Sequence, residues 1–118
     1  MPAETMAPAT VRMDATAVQI RWVRLRGPAG TFMLNLGLSK VGRAPDSQVL
    51  LNDRDVSRWH ASITIDRDSV IVEDRNSANG TQVNGAPIKT PTRLESGTTV
   101  SFGQVEFSVE VMLMERID

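Results

Sequence analysis

The chain predicts an all-β fold, an antiparallel sandwich of about eleven short strands. Three observations lead there. Apolar residues recur at every second position in short segments, and Gly, Pro and Asn punctuate the sequence between them. No stretch carries the period of a helix. At 118 residues the chain is long enough to bury one core without covalent staples.

Taken in order, residues 1–15 are rich in Ala, Pro, Thr and Met and lack periodicity. They read as a disordered leader before a domain at residues 16–114 and a tail at 115–118. In the first strand Val18, Ile20 and Trp22 alternate with Gln19 and Arg21; Val23 and Leu25 then alternate with Arg24 and Arg26. The phase slips between Trp22 and Val23, which predicts a β-bulge there. Residues 28–30 turn the chain, and Phe32, Leu34 and Leu36 follow at period two, with Thr31, Met33 and Asn35 on the other face. Residues 38–41 lead into Gly42-Arg43, 45–47 form a loop, and 49–51 a short strand before polar residues 52–55.

Beyond Arg58, Ala61, Ile63 and Ile65 are expected inside, with Ser62, Thr64 and Asp66 outside. Residues 66–69 turn into a partner strand at 70–72. Val83-Asn84-Gly85-Ala86 reads as a type I′ hairpin, whose central residues both take positive φ. Ile88 and Leu94 mark brief strands around Pro87 and Pro91. After Val100 and Phe102 comes the clearest strand, where Val105, Phe107, Val109, Val111 and Leu113 alternate with Glu106, Ser108 and Glu110.

Composition excludes several functions. Net charge is −1, and the 23% of charged residues mix both signs without a basic run, so nucleic acid and membrane are not expected partners. With no cysteine and one histidine there is neither a disulfide framework nor a thiolate zinc site, and no metal or cofactor is expected. No signal-peptide pattern or membrane-spanning apolar run appears, so a soluble, cytoplasmic protein is expected. Ser57 and His60 make a poor nucleophile and base: no nucleophile elbow surrounds the serine and no acid is placed to orient the ring. The chain does not read as an enzyme.

The chemistry concentrates instead in turn-like segments: Gly42-Arg43, Ser57-Arg58-Trp59-His60, and Asn79-Gly80. Arginine is always charged and its planar fork matches phosphate oxygens. Gly42 permits a close backbone approach. The hydroxyl and backbone N–H of Ser57 both count as donors. If the fold gathers Arg43, Ser57 and Arg58, the repelling cations invite an anion such as a phosphorylated side chain. Asn79-Gly80 cannot be a second hairpin of the same kind, since only Thr81-Gln82-Val83 precedes Asn84. Asn79 reads as a loop residue whose amide points outward, suited to holding a peptide main chain.

Together, Gly42-Arg43, Ser57-Arg58-Trp59-His60, Asp74 through Asn79-Gly80-Thr81, and Val83-Asn84-Gly85 resemble the forkhead-associated (FHA) domain over roughly residues 17–112. The resemblance implies an FHA/SMAD-like sandwich that binds phosphothreonine in a protein or peptide, as an adaptor downstream of a Ser/Thr protein kinase. It implies that Arg43 and Ser57 bind phosphate, helped by Arg58, and that Asn79 bonds the ligand backbone. Gly42, His60, Gly80, Thr81, Asn84 and Gly85 would support the site. A methyl pocket beside the asparagine would favour phosphothreonine over phosphoserine. The position before that asparagine often carries Ser or Thr as a further phosphate donor; here Ala78 removes it. Asp55, close in sequence to the cluster, would disfavour acidic ligand residues nearby. Some bacterial relatives dock a phosphorylated N-terminal threonine into this site, a role open to Thr5, Thr10 or Thr16.

A rival expectation is a phosphate-independent scaffold on the same fold. It would use an apolar patch of Trp22, Trp59, Met33, Met112 and Met114. Trp59, between Arg58 and His60, is expected to pack rather than to contact ligand.

Overall fold

The computed structural model describes residues 18–115, in eleven strands with no helix among them. Thr5, Thr10 and Thr16, and with them the leader, lie outside the described residues, as do residues 116–118 of the tail. The first five strands are β1 (Val18–Gly27), β2 (Gly30–Leu34), β3 (Gly37–Gly42), β4 (Val49–Leu50) and β5 (Ala61–Ile65). The others are β6 (Val70–Asp74), β7 (Thr81–Val83), β8 (Ala86–Pro87), β9 (Thr92–Arg93), β10 (Thr99–Phe102) and β11 (Val105–Glu115). They form two sheets, ordered β2-β1-β11-β10-β7-β8 and β4-β3-β5-β6-β9. The expected sandwich is present.

The core lies between the inner faces that the period-two patterns specify. Val23 and Leu25 of β1, Phe107 and Val109 of β11 and Val100 and Phe102 of β10 meet Val41, Ala61, Ile63 and Val72 of the second sheet, all buried. Phe107 packs edge-on against Phe32, with ring centroids 5.8 Å apart. Each such pair adds about 0.5–1.5 kcal/mol beyond the area it buries.

Local expectations need correcting in four places. The bulge falls between Ile20 and Trp22, making Arg21 the extra residue, while Trp22 pairs regularly with Met112. Ile20 stays paired with Leu113, and its N–H donates outside that pairing to the Arg67 carbonyl (2.9 Å). Leu36 lies beyond the end of β2 and is exposed. Ser62, expected outside, is buried. Its lateral neighbour Lys40 folds back onto the Trp59 ring (4.8 Å) instead of reaching into solvent, closing that stretch of the outer face.

The fourth correction concerns strand direction. β4 runs parallel to β3, pairing Val41 with Val49 and Gly42 with Leu50, whereas the other pairings are antiparallel. Residues 43–48 curl through a turn closed by Ser47 N–H on the Ala44 carbonyl (3.0 Å) and re-enter beside β3 in the same direction. Two residues of pairing need no long crossover of the kind that full parallel strands require.

The ladder fixes where the loops emerge. Val41 pairs with Ala61, and Ala61 with Asp74, so the end of β3, the start of β5 and the end of β6 share one edge of the sandwich. The loops β3–β4, β4–β5 and β6–β7 therefore gather at a single end.

Candidate phosphate-binding site

Gly42 explains how two of these loops come together. A Cβ on it would lie 2.0 Å from the Arg58 carbonyl oxygen and 2.9 Å from that of Ser57. Only glycine lets the β4–β5 loop press against the end of β3. Backbone bonds hold that approach: Arg43 N–H donates to Ser57 O (3.1 Å) and Ala44 N–H to Arg58 O (3.0 Å).

Arg43 is exposed, and its Nε donates to the Val56 carbonyl (2.7 Å). That bond orients the guanidinium and leaves its Nη donors pointing away from the anchor. No carboxylate among the described residues pairs with it. Arg58 is exposed as well. Part of its field falls on Asp46, whose carboxyl is held below its usual value mainly by the Lys40 hydrogen bond (2.8 Å) and to a smaller degree by Arg58.

His60 is fully buried, its ring edge-on to Phe102 with centroids 5.9 Å apart. The Ser57 N–H donates to its Nδ1 (3.0 Å), and an N–H has no acceptor capacity, so the ring proton sits on Nε2. Nε2 then donates to the Gly80 carbonyl (2.8 Å). One ring thus ties the β4–β5 loop to the β6–β7 loop and braces both on the core. The expectation that the Ser57 backbone N–H serves a ligand is corrected here, since it is committed to the histidine.

Residues 77–80 meet Ser57 directly: the Ala78 N–H donates to Ser57 Oγ (3.0 Å). Asn79 is exposed beside it, with Nδ2 donating to the Asp55 carbonyl (2.8 Å), so that Oδ1 and one amide hydrogen remain available. Gly80 sits at φ 86°, in the left-handed region that favours glycine.

In the sequence Asp74 is named only as the start of a motif, and no role is assigned to it. Its carboxylate accepts from Ser77 Oγ (2.6 Å), the Ser77 N–H (3.0 Å) and Thr81 Oγ1 (2.7 Å). Burial pushes this carboxyl up, but the bonds from Ser77 and Thr81 outweigh it and hold it below the usual carboxylate value. The available signal was an Asp followed three residues later by Ser, the spacing of a side-chain-closed turn.

The structure thus brings Gly42, Arg43, Ser57, Arg58, His60, Asn79, Gly80 and Thr81 to one end. It does not bring Asn84 and Gly85 there. With φ of 51° and 82° they close the β7–β8 hairpin, where Asn84 Oδ1 accepts from Thr99 N–H (3.0 Å). Trp59 is 40% exposed, and its ring is engaged by Lys40 Nζ at 4.8 Å and Arg75 Cζ at 4.5 Å.

Comparison with known proteins places this geometry in a family. The FHA domain model matches residues 39–103. FhaA, an FHA domain-containing protein of Mycobacterium tuberculosis, is 36% identical over 85 residues, covering 72% of this chain and 16% of FhaA. The glycogen accumulation regulator GarA of the same organism is 40% identical over 81 residues, covering 67% of this chain and 49% of GarA. The chain thus spans about half of GarA and a smaller part of FhaA. A solved structure from a study of phosphothreonine-dependent FHA domain interactions superposes with a TM-score of 0.68 at 34% identity, covering 85% of this chain and 98% of that one. The chain belongs to the forkhead-associated (FHA) domain family.

Proposed function

We propose that this chain is a phosphothreonine-peptide-binding adaptor module acting in Ser/Thr kinase signalling. Arg43 is the principal phosphate clamp, Ser57 and Arg58 assist it, and Asn79 holds the ligand main chain. The observation that carries this is the Arg43 guanidinium, anchored through Nε on the Val56 carbonyl with its remaining donors unspent, beside a serine hydroxyl whose hydrogen is free. A phosphate supplies three strong acceptor oxygens to such donors. The phosphothreonine-dependent interactions studied in the similar FHA structure support the same ligand class. The module comprises residues 16–114, recruits its partner without catalysing a reaction, and works in the cytoplasm. Among the described residues no helix is long and apolar enough to cross a membrane.

The test is capture from a degenerate phosphothreonine peptide library, with matched phosphoserine and unmodified peptides alongside. Removing a charge-assisted contact costs roughly 1.5–3 kcal/mol, so folded Arg43→Ala should bind about ten- to more than a hundredfold more weakly. Equal capture by that variant refutes the site.

A phosphate-independent scaffold is the second reading, and one observation favours it. Trp22 pairs with Met112, and Met33 with Arg24, on the outer face of the larger sheet, where both methionines are exposed. Partner capture that survives Arg43→Ala but fails in Met33→Glu and Met112→Glu would select it.

A further inference from the structure

We infer that Asp74 is the positioning residue of the phosphate site: it fixes the loop that leaves the Ser57 hydroxyl as a proton donor and aims Asn79. This rests on the function proposed above.

The inference follows from where each donor goes. A serine hydroxyl has one hydrogen and two lone pairs, so without neighbours it presents either to a ligand. At Ser57 the Ala78 N–H fills one lone pair (3.0 Å), and the residue's own N–H is spent on His60 Nδ1. What remains are the hydroxyl hydrogen and a single lone pair, so half of the hydroxyl's acceptor capacity is already spent and its one donor is not. A phosphate oxygen is an acceptor, so this polarity matches the ligand before it arrives.

Ala78 can only do this if residues 77–80 are held, and the held points converge on one carboxylate. Asp74 Oδ2 accepts the Ser77 N–H and Oδ1 accepts the Ser77 hydroxyl. Ser77 Oγ, its hydrogen so directed, turns its lone pair to the Gly80 N–H (2.9 Å). Thr81 Oγ1, buried at the start of β7, donates to the same Oδ1. Ala78 and Asn79 are thus suspended between two residues that Asp74 fixes, directly at Ser77 and through Ser77 at Gly80. Two of the ligand-facing groups, the Ser57 hydroxyl and the Asn79 amide, depend on this loop, although Asp74 itself touches no ligand position. Asn76 enters the turn at φ 57°, a conformation that short polar side chains tolerate best.

Two experiments test this. In the ligand-free protein, amide hydrogen exchange reads whether Ala78 N–H is engaged. Both Asp74→Asn and Ser77→Ala should speed exchange at Ala78 by about tenfold or more while β5 amides stay protected. Unchanged Ala78 exchange in both variants overturns the inference. Ser77→Ala removes a surface-loop hydroxyl and guards against Asp74→Asn failing to fold.

The second experiment is a double-mutant cycle on the affinity for a phosphothreonine peptide. Ser57→Ala and Asp74→Asn should each cost about tenfold, and the double variant should fall well short of their hundredfold product, because both remove the same donor. Full additivity would mean that Asp74 acts on the fold alone and would overturn the inference. If the parent protein binds no phosphopeptide, the proposed function fails, whereas the exchange experiment still decides the link from Asp74 to Ala78.

Discussion

His60→Phe is the substitution whose effect the structure specifies most fully. Phenylalanine keeps a ring to meet Phe102 edge-on, so no cavity opens, and its larger size in this fully buried position can only add to the cost. What is lost is the pair of hydrogen bonds. The Ser57 N–H loses its acceptor, and a donor left unsatisfied away from water costs about 1–3 kcal/mol. The Gly80 carbonyl keeps the Gly103 N–H (3.0 Å), so its loss is the smaller, about 0.5–1.5 kcal/mol. Together they predict destabilisation of about 2–4 kcal/mol, against a total stability of about 5–15 kcal/mol for a domain of this kind. The variant should therefore fold and melt roughly 8–32 °C below the parent, at about 4–8 °C per kcal/mol. Thermal unfolding followed by circular dichroism, with urea titration as a second measure, gives the answer. Melting within a degree or two of the parent would refute the claim that this ring ties the two loops together.

Other consequences follow from neighbouring geometry. Gly42→Ala sets a methyl 2.0 Å from the Arg58 carbonyl oxygen and must displace backbone, at a cost of about 1–3 kcal/mol; an unchanged urea midpoint would contradict that close approach. Ala78→Ser restores a hydroxyl next to Asn79 and should tighten phosphothreonine peptide binding about two- to tenfold, the equivalent of roughly 0.5–1.5 kcal/mol. Calorimetric titration showing no gain would place Ala78 away from the phosphate. Because the folded Asp74 carboxyl titrates below its unfolded value of about 3.9, its bonds contribute fully above that pH and are lost as pH falls through the lower, folded value. Stability of the parent should thus drop more steeply below about pH 4 than that of Asp74→Asn, and parallel curves of unfolding free energy against pH would contradict a stabilising role for the Asp74 bonds to Ser77 and Thr81.

Much of this was legible in the sequence. Period-two alternation names the inner-face residues of β1, β5, β10 and β11, because a sheet with one buried face cannot slip by a residue without exposing its core. The Asn84-Gly85 hairpin is legible because two successive positive φ values favour those residues. The residues of the proposed site were legible as a set of charged and amide side chains in loops, which the structure brings to one end. What escaped is the wiring behind them. The Ser57 N–H is committed to a histidine three residues on, and the Asp74 carboxylate collects donors from Ser77 and Thr81. The Asp74–Ser77 bonds carry a short-range turn signal, but the bond from Thr81 and the His60 bridge to Gly80 depend on which loop meets which, and no local pattern encodes that. The parallel course of β4 and the burial of Ser62 escaped for the same reason. Each depends on how residues 43–48 curl and where Lys40 lies, which are tertiary outcomes.

The most direct test of the central claim is a heteronuclear NMR titration of the protein with a phosphothreonine peptide, repeated with its unmodified counterpart. The site described here predicts saturable shifts at Arg43, Ser57, Arg58, Ala78 and Asn79 with the phosphorylated peptide alone, absent in Arg43→Ala. Shifts confined to Trp22, Met33 and Met112, or equal response to both peptides, would contradict it.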